Sequence, residues 1–247
     1  MSVNEYTWRV ERVEEVDSTN TTLVARAREG EAEGLVLRAD HQSGGRGRLG
    51  RSWEASPGSA LLCSILLRPH LEAERLQWAV VAVALSTRAA LARVGVSSDL
   101  KWPNDVLVDS RKVAGVLAEY VSAPSESAIV VGLGVNVTEH PPGVGATDIA
   151  RVRGEAPTPD DFLDVVLDEL RRRRGLLDTP RGLTQLAEEY REALVTLGQR
   201  VRVHERSREW EGLAYDVDDA GHLLVHTDHG ERRVVAGDVV HVRAVIS

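Results

Sequence analysis

The pattern of the chain changes at Gly198. Before it, stretches with helical spacing alternate irregularly with apolar strand-like runs. After it come only short β-rich runs, RVRVH, HLLVHT, RRVV and VVHVRAV, split by turn residues at 218–221, 229–230 and 237–238. About 50 residues of five short strands predict a small SH3-like barrel, so residues 198–247 are set apart from a larger unit at 1–197. In that larger unit the expected strands run from Tyr6 to Val16, Gly34 to Ala39, Ser59 to Leu67, near Val106, Lys112 to Val121 and Ala128 to Val137. Helices are expected after the Asp17–Asn20 cap signal, over Ala73–Val94, and over roughly 160–178 and 182–196. This is not strict βαβ alternation, so the class is α+β, a mixed sheet flanked by helices.

Two scarce residue types stand out. Of 30 basic residues only Lys101 and Lys112 are lysine, and the four asparagines are Asn4, Asn20, Asn104 and Asn136. A chain so biased towards Arg keeps Lys where a compact, flexible ammonium differs chemically from a guanidinium. Net charge is −8, the wrong sign for a broad grip on phosphate backbones, so DNA binding is not expected. Cys63 is the sole cysteine, which excludes a disulfide framework. The charged N-terminus has no apolar core and no window nears the ~18 apolar residues of a span, so a soluble cytoplasmic protein without membrane contact is expected.

Residues 41–53, HQSGGRGRLGRSW, contain GxGxxG, but Trp53, Pro57 and Gly58 follow where a dinucleotide fold needs a helix. What remains is a loop that presents three arginines between glycines, suited to closing over an anion. Glycine entropy and mutual repulsion of the arginines predict a loop that stays open until an anion arrives. Lys101-Trp102-Pro103-Asn104-Asp105 offers a cation, an aromatic plane, an amide and a carboxylate on a stiff turn, groups that suit a purine, a phosphate and magnesium. Counting by twos along the next strand puts Lys112 on one face with Ala114, Val116, Ala118 and Tyr120, and Glu119 on the other. The run Arg171–Arg174 reads as a helix end that complements the dipole, and His222, His226 and His229 lack metal-ligand spacing.

Taken in order, HQSGGRGRLGRSW, KWPNDVLVDSRKVAGVLAEY and VVGLGVNV resemble the catalytic domain of biotin–protein ligases. A chance match to the seven fixed letters of GRGRxGRxW is on the order of one in a few hundred thousand such chains. The resemblance implies a catalytic fold like that of class II aminoacyl-tRNA synthetases, followed by a small SH3-like unit. It places biotin on Ser18, Thr19, Asn20, Gln42, Gly45, Arg46, Gly47, Arg48 and Lys112. It places ATP or the adenylate on Arg51, Trp53, Lys101, Asn104, Asp105 and Asn136, with magnesium reaching Asp105 through Mg-ATP. Lys112, Arg46 and Arg48 carry catalysis in this reading. The implied reaction forms biotinyl-5′-AMP and then biotinylates a lysine of a biotin carboxyl carrier domain of a carboxylase. Longer relatives begin with a DNA-binding winged helix. This chain begins at the first catalytic strand, so no repressor role is expected, and a monomer or weak homodimer is. A lipoate-type ligase is the nearest rival, but its RRxxGGG loop has no counterpart here. A non-enzymatic biotin sensor would need a DNA-binding segment.

Overall fold

The structure is a computed structural model that describes residues 6–122, 126–142, 145–205, 208–235 and 237–242. Strand β1 (Arg9–Val16) is followed by helix α1 (Thr19–Arg28), which crosses over to β2 (Leu35–Gln42) and lets the two strands pair in parallel. Ser18 caps α1 through its side chain, as the DSTN run predicts. Strand β3 (Ala60–Leu67) is wholly buried, and helix α2 (Gln77–Arg93) is apolar almost all round, which suits a helix enclosed by other elements.

Strands β4 (Asp99–Lys101) and β5 (Asp105–Val108) flank the KWPND turn, then β6 (Arg111–Val121) and β7 (Ala128–Asn136) follow. Asp109 and Ser110 both have positive φ, +48° and +62°, which is the two-residue hairpin conformation that matches strand twist. The sheet order is β1-β2-β3-β7-β6-β5-β4, antiparallel except for β1–β2, hence the expected mixed sheet. A short helix α3 (Ile149–Arg153), which the sequence reading missed, precedes α4 (Pro159–Arg174) and α5 (Pro180–Ala193).

Alternation assigns the two faces. Leu61, Cys63, Ile65 and Leu67 of β3 and Ile129, Val131, Leu133 and Val135 of β7 join the core shared with α2, α4 and α5. The opposite face carries Leu66 and Val130 against Leu23 and Ala27 of α1, then changes character. Towards the far end of these strands it bears Ser64 paired with Gly132, and Leu62 paired with Gly134. Helix α1 spans only ten residues. Beyond it lies a shallow trough of small residues.

Five antiparallel strands complete the chain: β8 (Arg200–Glu205), β9 (Arg208–Val217), β10 (Leu223–Thr227), β11 (Gly230–Val234) and β12 (Asp238–His241), in the order β11-β10-β9-β8-β12. Among the described residues this SH3-like sheet is not closed, since β11 and β12 are its two edges. Its inward residues, among them Val201, Val203, Leu223 and Val239, belong to the same apolar core as the larger sheet. Trp78 and Trp102, both buried, donate their indole N–H groups to the carbonyls of Asp219 (2.8 Å) and Gly221 (3.1 Å). No described helix is long and apolar enough to cross a membrane.

Candidate functional site

Lys112 is where counting by twos fails. Val106 pairs with Ala114 but Leu107 pairs with Lys112, so Val113 is an extra residue, a β-bulge on β6. The bulge reverses the alternation and puts Lys112 on the trough face, away from the Ala114 and Val116 side chains that enter the core. A methyl group built on Gly115 would lie 2.9 Å from Lys112 Nζ and 3.1 Å from Trp53 Cζ3. Lys112 therefore stands over Gly115, with its ammonium 2.6 Å from Asp105 Oδ1 and 5.4 Å from the Trp53 ring centroid. Glu119, expected on the far side, shares the trough face.

The 43–53 segment is folded over this trough. Gly47 N–H donates to Arg51 O (2.7 Å) and Trp53 N–H to Gly45 O (2.9 Å), while Leu49, in a single 3₁₀ turn, has φ +57°. A Cβ on Gly134 would come within 2.5 Å of Trp53 Cε2, so the indole lies directly on that glycine. The arginines do not repel one another into solvent as the sequence predicts, because each finds an acceptor. Arg46 Nη2 donates to Glu119 Oε1 at 2.8 Å, and Arg51 pairs with Asp238 of the C-terminal sheet. Arg48 has only neutral acceptors, Asn104 Oδ1 at 3.4 Å and Gly237 O at 3.3 Å, and makes no ion pair among the described residues. Burial holds its guanidinium below the ordinary value, against the opposing pull of Asp105 and Asp238. A desolvated cation with weak neutral partners is a strong attractor for an anion.

On the α1 side, Thr19 donates from its backbone N–H (2.8 Å) and hydroxyl (3.0 Å) towards Gln42 Oε1. Ser64 Oγ lies 2.7 Å from Thr19 Oγ1 and 2.6 Å from Asn20 Oδ1. Gly132 is glycine because Asn20 Oδ1 occupies the space a side chain would take. Gly45 is glycine because Trp53 O presses on it. One cavity is lined by Ser18, Thr19, Asn20 and Gln42, by Arg46, Gly47, Arg48, Arg51 and Trp53, and by Lys101, Asn104, Asp105 and Lys112. Thirteen of the fifteen residues picked from the sequence thus meet there. Of the other two, Gly45 supports Trp53, and Asn136 lines an adjoining groove that also reaches Lys101, Asp105, Lys112 and His241. Asn136 is buried and donates to Thr147 O at 2.9 Å, which clasps the strand behind Lys112. Asn104 likewise clasps β6, donating to Val116 O at 2.7 Å.

One expectation is corrected. The Trp102 plane is not offered to a ligand, because its ring is buried and its indole N–H is spent on Gly221. Asp105 is paired with Lys112, and no group of three His, Cys, Asp or Glu that could hold an ion occurs among the described residues. The sequence reading also missed Ser64, Glu119, Asp238 and the glycines of the trough. Only the glycines at 132 and 134, inside an otherwise apolar strand, gave a signal of close approach.

Comparison with known proteins agrees with this geometry. Residues 13–136 match the biotin/lipoate A/B protein ligase family, and residues 196–242 match the biotin protein ligase C-terminal domain. A biotin–[acetyl-CoA-carboxylase] ligase of Mycobacterium tuberculosis is 37% identical over 96% of this chain and 90% of its own length. One from Paracoccus denitrificans is 34% identical over 90% of this chain and 96% of its own. The biotin protein ligase of Aquifex aeolicus, solved in complex with biotin and ATP, superposes with a TM-score of 0.80 at 27% identity, covering 96% of this chain and 99% of that one. A cation-lined trough beneath a GRGRxGRxW loop, a C-terminal sheet that reaches this loop, and these matches over both parts make the chain a member of the biotin protein ligase family.

Proposed function

We infer that the protein activates biotin with ATP to biotinyl-5′-AMP and passes the biotinyl group to a lysine of a biotin carboxyl carrier domain. The observation that carries this reading is the convergence of Arg46, Arg48, Arg51 and Lys112 on one trough whose floor is glycine. The first step joins two anions: a carboxylate oxygen of biotin attacks the α-phosphorus of ATP, and the bond to the bridging oxygen breaks to release pyrophosphate. Repulsion is its main obstacle, and fixed cations offset it by positioning and by stabilising the charge that develops. Lys112 serves this step at the α-phosphate, where a phosphate oxygen exchanges for Asp105 as its partner. Arg48 attracts the anion first, since it gives up only two long neutral hydrogen bonds. In the second step the amine nitrogen of the carrier lysine attacks the acyl carbon, AMP leaves with the electron pair, and the amine loses a proton. No enzyme nucleophile is needed.

Ser18, Thr19, Asn20 and Gln42 supply hydroxyl and amide groups of both polarities for a ureido ring, while Leu62, Leu117 and the glycine floor suit the apolar thiophane and its chain. The nucleotide lies towards Trp53, Lys101, Asn104 and Asp105, and along the groove that holds Asn136 and His241. Residues 198–247 act as a unit that closes the nucleotide side through Asp238. Magnesium would enter on the phosphates of Mg-ATP as part of the substrate, with Asp105 as the residue that would meet it.

The test is pyrophosphate release and label transfer to a carrier domain, with biotin or lipoate as the acid. Biotin should support both steps and lipoate neither. Equal use of lipoate, or no turnover with biotin, would overturn the reading.

A further inference from the structure

Glu119 has no part in the reaction as written, yet its carboxylate ties two halves of the site together. Its Oε1 accepts from Asn20 Nδ2 at 3.0 Å and from Arg46 Nη2 at 2.8 Å. Asn20 Nδ2 also donates to Leu117 O at 3.3 Å, and Asn20 Oδ1 faces the buried Ser64 hydroxyl at 2.6 Å. Ser64 has one hydrogen but two close oxygens, so the protons can be arranged in only a few ways. With Asn20 as described, the one Ser64 hydrogen is shared between Asn20 Oδ1 at 2.6 Å and Thr19 Oγ1 at 2.7 Å, and Thr19 donates its hydroxyl (3.0 Å) and its backbone N–H (2.8 Å) to Gln42 Oε1. If the Asn20 amide were flipped, its oxygen would face the Glu119 carboxylate, an acceptor against an acceptor. A negative charge at position 119 therefore selects one amide orientation, and with it the acceptor that faces the Ser64 hydroxyl beside Thr19.

We propose that Glu119 is a positioning residue, which fixes the hydrogen-bond polarity of the Thr19–Asn20 pocket and at the same time holds Arg46 of the loop across its mouth. The proposal rests on the reading of that pocket as the biotin side. It makes loop order and ureido recognition depend on one carboxylate. Biotin affinity should then be sensitive to residue 119, and nucleotide affinity should not.

The experiment compares wild type with Glu119→Gln, Glu119→Asp, Asn20→Asp and the double variant Asn20→Asp/Glu119→Gln in the pyrophosphate-release assay, with a timed tryptic digest alongside. Glu119→Gln keeps the shape, loses the charge and lets the amide turn. Its KM for biotin should rise about tenfold, as expected for loss of a charge-assisted network. Its KM for Mg-ATP and its kcat should stay within about threefold, and cleavage after Arg46 should quicken. Glu119→Asp, which keeps the charge on a shorter arm, should lie between Glu119→Gln and wild type. Asn20→Asp alone sets two carboxylates against each other, and adding Glu119→Gln should restore part of the lost biotin affinity. An unchanged KM for biotin in Glu119→Gln, an equal rise in the KM for Mg-ATP, or a double variant no better than Asn20→Asp would each overturn the proposal. Wild-type turnover with biotin is the control that keeps this apart from the functional reading: without it both fall, and with it the assignment of Glu119 stands or fails by itself.

Discussion

Adding one methyl group at Gly134 tests whether the Trp53 indole must lie on the trough floor. Gly134 is not at positive φ, so alanine is free of backbone strain there, and in a strand interior it is favoured over glycine by about 0.5–1 kcal/mol. The obstacle is steric. The new Cβ would stand 2.5, 2.7 and 2.9 Å from Trp53 Cε2, Cζ2 and Cδ2. Ordinary carbon contacts are about 3.5–4.0 Å, so the ring must retreat by roughly 1 Å. It is held by Gly115 below, Lys112 to one side and the Trp53 N–H bond to Gly45 O, so it cannot slide without the segment lifting. Overpacking of this kind costs about 1–3 kcal/mol, which lowers the population of the closed segment by roughly 5- to 150-fold. Because the segment can lift without unfolding the sheet, Tm should hardly change while pyrophosphate release at low substrate falls at least about fivefold. The control is Gly175→Ala, at a glycine with helical φ and nothing within 4 Å of its built Cβ, which should leave both readouts unchanged. Gly134→Ala with wild-type activity and wild-type Tm would refute the reasoning.

Three further outcomes are expected. Lys112→Ala should abolish pyrophosphate release with the fold intact by circular dichroism, and Lys112→Arg should fail largely as well, since a planar fork cannot replace an ammonium seated over Gly115. Cys63 is buried and its thiol is pushed up to about 12 by desolvation, so iodoacetamide at pH 8 should leave it unmodified until the protein unfolds, as read by mass spectrometry. Burial, with the Lys101 charge adding, holds the His241 imidazole below its ordinary 6.5; unfolding then takes up a proton at mildly acidic pH. That stability is present above about pH 6.5 and is lost as pH falls towards the folded value, so denaturant midpoints of His241→Gln should decline less between pH 7 and 5 than those of the wild type.

Local chemistry was legible and long-range geometry was not. The Ser18 cap and the five tail strands follow from nearest-neighbour rules. The candidate site residues could be picked out because their motifs are contiguous, and the cavity brings most of them together. The face of Lys112 was misread because an extra residue in a strand leaves no mark in composition, and every position before the bulge then changes sides. Trp102 looked like a ligand platform because a sequence does not show that a turn at residues 218–221 will cover it. Glu119 was set aside by the same count, and its partner Arg46 lies 73 residues earlier. An ion pair at such a separation has no local signature.

The contact between Arg51 and Asp238 joins residues 187 positions apart. At a synthesis rate of about 5–20 residues per second, the acidic partner follows the arginine by roughly 10–40 s. Glu119 emerges earlier, so Arg46 can be seated while Arg51 still lacks its counterpart. The contacts that seat the 43–53 segment are therefore completed in stages, the last of them only with β12.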